Sequence, residues 1–187
     1  MPQRKILLDT NAYLRLAQTI RPLLGKSFGK ENFTLYIHKR FDEEISKSPR
    51  LKSKFYWVNQ NEYVQNRKKK LQLSNTEKEE IEFAFNFIWE YQNEFSLGLS
   101  RVDIYCVATA LTLDIPLVTD DKNMIRTCRE YDVEVFSTLR LLKLMLEKNF
   151  IDFNMINEIV EYWKYENDLP ISSNEFQKLF RTFFNTR

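Results

Sequence analysis

With 187 residues, 43% of them hydrophobic and 29% charged, the chain is long enough to bury a sizeable core as one soluble globular domain with an appendage. Three glycines leave little material for a Gly-rich phosphate loop or a dinucleotide fingerprint, and one histidine with two cysteines outside any CxxC pair does not suffice for a zinc site. A net charge of +2 is too small to declare a nucleic-acid partner by itself, and no apolar run approaches the ~20 residues that span a bilayer.

The first residues lead straight into a strand-like segment rather than a leader peptide. A cytoplasmic protein with Cys106 and Cys128 reduced and buried is therefore expected. Lys5–Leu8 reads as a short buried strand and Asn11–Ala17 as a helix. Pro22, Gly25 and Gly29 mark a turn region. Phe33–His38, rich in β-branched and aromatic residues, reads as a second strand. A helix follows over "KRFDEEISKS" and ends near Pro49. Leu51–Leu73 reads as helical, aromatic on one side and basic at its end. Ser74 or Thr76 can cap the next helix, with Glu79 or Glu80 completing a capping box. Ile81, Phe85, Ile88 and Trp89 form a helical apolar face. A further helix starts at Ser100. Ile115–Thr119 reads as a strand, "DDKNMIRTC" as a helix, Val133–Phe136 as a strand and Ser137–Glu147 as a helix. Beyond Asn149 two amphipathic helices are expected, Ile151–Lys164 and Ser173–Phe184, broken by Pro170. Strands alternating with helices imply an α/β fold, a parallel sheet wrapped by helices. The expected division is a domain over 1–148 and a helical extension over 149–187, packed on or beside it.

Open parallel sheets bind ligands beyond the carboxyl ends of their strands. Acidic residues fall there repeatedly. Asp9 follows the first strand, Asp120 and Asp121 follow Ile115–Thr119, and Glu43 and Glu44 lie just after Phe33–His38. Asp103 stands on the first turn of the helix that precedes Ile115–Thr119. Each has an ordinary use: Asp9, Asp120 and Asp121 as helix caps, Asp103 as the far half of a Ser100-x-x-Asp capping box, Glu43 and Glu44 as solvated charges. Capping and metal binding are compatible, however, and clustered carboxylates repel unless a cation neutralises them. Mg²⁺ prefers oxygen ligands and can activate water beside a phosphodiester.

The segments "LLDTNAYL", "FDEEI", "SRVDIYCVATAL" and "IPLVTDDKNM", in this order and spacing, resemble the PIN-domain ribonucleases across roughly Lys5–Leu144. The resemblance implies a three-layer α/β/α sandwich around a central parallel sheet, and Mg²⁺- or Mn²⁺-dependent cleavage of RNA. It carries the catalytic and metal-binding roles to Asp9, Glu44, Asp103 and Asp121, with Glu43 the alternative to Glu44 and Asp120 assisting. Asn11 and Thr119 match the polar residues that orient ligands or water. The long stretch between Glu44 and Asp103, and the helices after Asn149, extend beyond a minimal member. Many small bacterial members are toxins held by an antitoxin, so the resemblance also brings in an antitoxin partner; the C-terminal helices are available to cover a partner peptide, to form a homodimer surface, or only to pack on the sheet.

A substrate path requires cations. Setting aside Asp9, Glu44, Asp103, Asp120 and Asp121 leaves 21 acidic residues against 28 lysines and arginines, a surplus of seven that suits a phosphate backbone. Arg50, Lys52, Lys54 and the run Arg67, Lys68, Lys69, Lys70 are candidates for RNA contact, with Tyr56, Trp57 and Tyr63 available to stack on unpaired bases; a solvated helix with a packed aromatic stripe explains the same residues. His38 is expected to be structural or on the surface. The competing function is a catalytically silent RNA-binding or scaffold module, which a missing acidic ligand would signal. An aspartyl-nucleophile phosphatase would need an acid at position 11, where Asn11 stands.

Overall fold

The computed structural model describes residues 2–169 and 176–180. Four strands form one parallel sheet in the order β2-β1-β3-β4: β1 (Arg4–Leu8), β2 (Phe33–Ile37), β3 (Leu117–Val118) and β4 (Val135–Phe136). Central β1 pairs with β2 along its whole length, Ile6 opposite Leu35 and Leu8 opposite Ile37, and with β3 through Leu7–Leu117 and Leu8–Val118. Side chains alternate across a strand, so Ile6 and Leu8 face one layer of helices and Leu7 the other. That is why "ILL" is apolar without interruption: a parallel sheet between two helical layers is buried on both faces.

The first layer contains α1 (Thr10–Ala17), α8 (Thr138–Glu147) and α9 (Phe153–Tyr165), packed on Ile6, Leu8 and Val118. The second contains α5 (Asn75–Glu94), α6 (Arg101–Leu113) and α7 (Lys122–Glu130), packed on Leu7 and Leu117. Helix α6 is buried almost all round, from Ile104 to Ala110, as befits a helix wedged between the sheet and α5. The result is the three-layer α/β/α sandwich expected from the sequence.

The stretch expected as one helix over Leu51–Leu73 is broken. Helix α2 (Phe41–Lys47) ends at Ser48, which caps α3 (Pro49–Lys54) with Pro49 at the first helical position. A 3-10 turn (Tyr56–Asn59) follows, then α4 (Asn61–Arg67) and a segment without regular structure up to Ser74. Phe55, Trp57, Val58 and Tyr63 are all buried in the first core, and one straight helix does not bring residues 55, 57 and 58 onto one face. The box that opens α5 is Ser74 with Glu77, not with Glu79 or Glu80: Glu77 N–H donates to Ser74 Oγ at 3.1 Å and Ser74 N–H to Glu77 Oε2 at 2.6 Å.

Helix α9 joins the domain's own core through Ile156, Ile159, Val160 and Trp163, and the Trp163 indole donates to Arg15 O at 3.1 Å. The second expected C-terminal helix, Ser173–Phe184, falls mostly outside the described residues. Within it, 176–180 is helical and Phe180 is buried in the same core. Among the described residues no helix is long and apolar enough to cross a membrane.

Candidate active site

Asp9 is the residue at which β1 becomes α1. Its N–H continues the sheet by donating to Val118 O at 3.0 Å, and its backbone is still extended. Its Oδ1 then accepts the Ala12 N–H and caps α1. A strand and a helix therefore clamp this carboxylate from both sides, and only 2% of it is exposed. Burial pushes its pKa up from 3.8 to about 7; hydrogen bonds from Thr119 and Ala12 oppose the rise, and the charges of Asp120 and Asp103 add to it.

The other acids come from separate elements: Asp103 and Asp120 lie close enough to Asp9 to raise its pKa, and Asp121 and Glu44 act on Asp103 or are acted on by it. Asp103 completes the Ser100 capping box at the start of α6, accepting the Ser100 N–H at Oδ2, 2.8 Å. Burial raises its pKa, and the charge of Asp121 adds to that. Asp121 caps α7, its Oδ1 accepting from Asn123 N–H and Met124 N–H, both at 2.8 Å, while its own N–H donates to Thr119 Oγ1 at 3.1 Å. In Asp103 and Asp121 the second oxygen takes no hydrogen bond among the described residues. Glu44, on α2, accepts the Thr10 hydroxyl at Oε2; burial raises its pKa, that bond opposes the rise, and Asp103 adds to it. Glu43 is exposed and paired with Arg40 at 3.1 Å, so of the two it is Glu44 that faces the other acids.

Asp120 is engaged differently. Its Oδ1 accepts the Thr138 N–H at 3.0 Å, and its Oδ2 accepts both the Thr138 hydroxyl and Arg15 Nη1, the latter at 3.1 Å. Arg15 in turn grips Asp168 at 3.1 Å. Asn11 is exposed on α1, and the groups that bond Asp9 are Ala12 and Thr119 instead.

The basic run divides. Arg67, expected as an RNA contact, is only 6% exposed: its guanidinium donates to Val58 O at 2.7 Å, pairs with Asp42 at 3.0 Å and lies over the Phe41 ring. It is a core residue, placed there by the turn that buries Trp57 and Val58. Trp57 and Tyr63 are buried against each other and so are not stacking platforms, whereas Tyr56 is 71% exposed. Lys68, Lys69 and Lys70 are exposed. Gly25 sits at φ +68°, and a Cβ there would fall 2.3 Å from Lys69 Cδ, so only glycine lets the Lys69 stem cross that turn. His38 is buried, stacked on Tyr105, and held neutral with its pKa lowered to about 4, first by burial and then by Lys39 and Arg40.

Sequence reading missed Thr10, Arg15, Asp168 and Thr138. Thr10 lies inside the "DTN" motif, so position could have flagged it; the Arg15–Asp168 pair joins residues 153 apart and leaves no local signal. As the side chains lie, no group of three His, Cys, Asp or Glu among the described residues forms a ready metal cage.

The PIN domain family model matches residues 6–130. A solved structure similar to the chain is the crystal structure of FitAcB from Neisseria gonorrhoeae, 17% identical, with 72% of this chain and 98% of that chain covered at a TM-score of 0.46. No curated protein matches the chain.

Proposed function

The chain belongs to the PIN domain family, whose members are generally nucleases that use divalent metal ions, and from that premise we propose that it is a Mg²⁺- or Mn²⁺-dependent endoribonuclease. The observation that carries the proposal is Asp9. A carboxylate buried to 2% exposure, beside the negative charges of Asp103 and Asp120, is paired with no lysine or arginine among the described residues. A divalent cation is the natural complement to such a set.

Asp9, Asp103 and Asp121 would hold the ion, with Glu44 alongside. When bound, it would lower the pKa of a coordinated water and stabilise charge on the phosphoryl oxygens. The chain's own part is preparation. Each aspartate spends one oxygen on a helix N-terminus, which fixes its direction. Thr10 holds Glu44 Oε2, so Oε1 is the atom to take a proton from an attacking water. Thr119 holds the turn between β3 and Asp121 through the Asp121 N–H. Asp120, whose two oxygens are occupied by Thr138 and Arg15, stays outside the ligand set and fixes the start of α8.

The test is incubation of the full chain with single-stranded RNA in Mg²⁺, in Mn²⁺ and in EDTA, alongside Asp9→Asn. Cleavage is expected with either metal and is lost in EDTA and in the variant. Cleavage indifferent to both sinks the site; a chain that binds RNA and never cuts it supports the scaffold reading instead.

A further inference from the structure

We propose that a second site, a cavity at the carboxyl end of β2, binds a phosphate group. The strand that carries this phosphate is named through the nuclease reading above; the phosphate chemistry is argued independently of it. The cavity, about 170 Å³, is lined by Ile37, His38, Lys39, Lys70, Lys78 and Thr109, with Leu71 and Leu73 on its apolar side. Its three lysines come from three segments: the residue pair after β2, the linker between α4 and α5, and the first turn of α5.

Two features point to an anion. The first is unspent positive charge. Several cations elsewhere are paired, as in Arg15–Asp120, Arg40–Glu43, Arg67–Asp42 and Lys148–Glu31, while other surface lysines are not; what distinguishes these three is that they converge on one cavity. Lys39, Lys70 and Lys78 have no carboxylate partner among the described residues, and no acidic side chain lines the cavity. Lys78 reaches only the neutral Asn75 Oδ1, at 3.3 Å, and nearby Glu77 is committed to the Ser74 N–H. Three like charges around one cavity repel, and a phosphate between them removes that repulsion.

The second is unspent hydrogen-bonding capacity. Thr109 is fully buried, and its hydroxyl has no partner among the described residues. His38 Nδ1 accepts the Arg40 N–H at 3.3 Å, so a neutral ring carries its proton on Nε2 as a further donor. Donors and cations without acceptors or anions are the complement of a phosphate.

The cavity lies at the same end of the sheet as Asp9: Ile37 pairs with Leu8, so His38 and Asp9 follow neighbouring parallel strands, and His38 also stacks on Tyr105 of α6, ring centroids 5.5 Å apart. The phosphate is therefore either a backbone phosphate of a strand that continues over the acids, or that of a free nucleotide or inorganic phosphate.

The experiment is fluorescence anisotropy of a short labelled single-stranded RNA with the full chain in EDTA, over a range of salt. Compared are wild type, the triple variant Lys39→Gln/Lys70→Gln/Lys78→Gln, a charge-matched triple Lys30→Gln/Lys143→Gln/Lys164→Gln, and Thr109→Val. The cavity triple is expected to weaken binding about tenfold or more and to flatten the salt slope by roughly 2, three contacts at about 0.7 each. The matched triple should change affinity less than about threefold. Titrating AMP and inorganic phosphate separates the sources: binding of either, lost in the cavity triple, assigns a free anion, and RNA binding alone assigns the backbone. Equal losses in both triples, or no loss with any of the three probes, overturn the proposal. Thermal unfolding verifies that the variants fold, and Thr109→Val, which keeps the wall's volume, is a second independent probe. Because nothing is cleaved in EDTA, the outcomes separate: RNA that is bound here and never cut sinks the nuclease reading alone, and RNA that is cut with binding unchanged in the cavity triple sinks this site alone.

Discussion

Replacing Asp9 by Asn removes a buried negative charge and leaves a residue that caps a helix equally well. The substitution therefore separates the two roles of this position. Folding moves the Asp9 pKa from 3.8 to about 7. The folded chain binds this proton more tightly than the unfolded chain, so the stability linked to Asp9 is complete below pH ~4, declines between pH ~4 and ~7, and is lowest above. A rise of about three pKa units corresponds to about 4 kcal/mol at full ionisation. Without metal, Asp9→Asn is therefore expected to be more stable than wild type by about 2–4 kcal/mol at pH 8, with the gap closing near pH 4.5. Urea unfolding followed by circular dichroism in EDTA, at a series of pH values, measures this directly. Added Mg²⁺ should stabilise wild type and leave the variant unchanged, because a ligand stabilises only the state that binds it. A variant as stable as wild type at every pH, with no gap opening between pH ~4 and ~7, would refute the reasoning and make Asp9 an ordinary helix cap.

Three further outcomes are expected. Thr10→Val removes the hydrogen bond that opposes the raised pKa of Glu44, so the acid limb of the cleavage–pH profile should move to higher pH, with about 1 kcal/mol lost from stability; an unmoved limb would exclude Glu44 from proton transfer. Arg67→Met strips the buried bonds to Val58 O and Asp42 and should destabilise by about 2–3 kcal/mol in denaturant, with RNA affinity unchanged within about twofold; a loss of affinity without a loss of stability would return Arg67 to the substrate path. Trp163→Ala, in a side chain buried to 1% exposure beneath α1, should cost about 3–5 kcal/mol in a single unfolding transition; a separate low-temperature transition would mean that α9 melts independently of the sandwich.

Periodicity and strand-end logic made much of this fold readable. The apolar run at Ile6–Leu8 is uninterrupted because both faces are covered, and the acids that follow β1 and β3 lie where a parallel sheet opens to solvent. Capping signals were equally legible at Ser100 and Asp121, because a cap is a contact between residues two or three apart. Legibility failed where partners are distant. Phe55, Trp57 and Tyr63 read as part of a helical stripe, yet they turn to enter a core assembled from β1, α1, α8 and α9. Arg67 read as a surface cation because its partners, Val58 O and Asp42, are brought to it by that same turn. The choice between Glu43 and Glu44 needed Thr10, 34 residues upstream of Glu44, and Arg40 to claim one each.

The central claim is that Asp9, Asp103 and Asp121, with Glu44 alongside, hold a divalent cation. Its most direct measurement is Mn²⁺ binding to the full chain by electron paramagnetic resonance, for wild type and for Asp9→Asn, Glu44→Gln, Asp103→Asn and Asp121→Asn, with Asp120→Asn as the comparison. The account predicts that wild type binds Mn²⁺ and that each of the four variants weakens it by about tenfold or more, a loss of about 1.4 kcal/mol apiece, with a smaller change in Asp120→Asn. Mn²⁺ affinity unchanged across the four would contradict it.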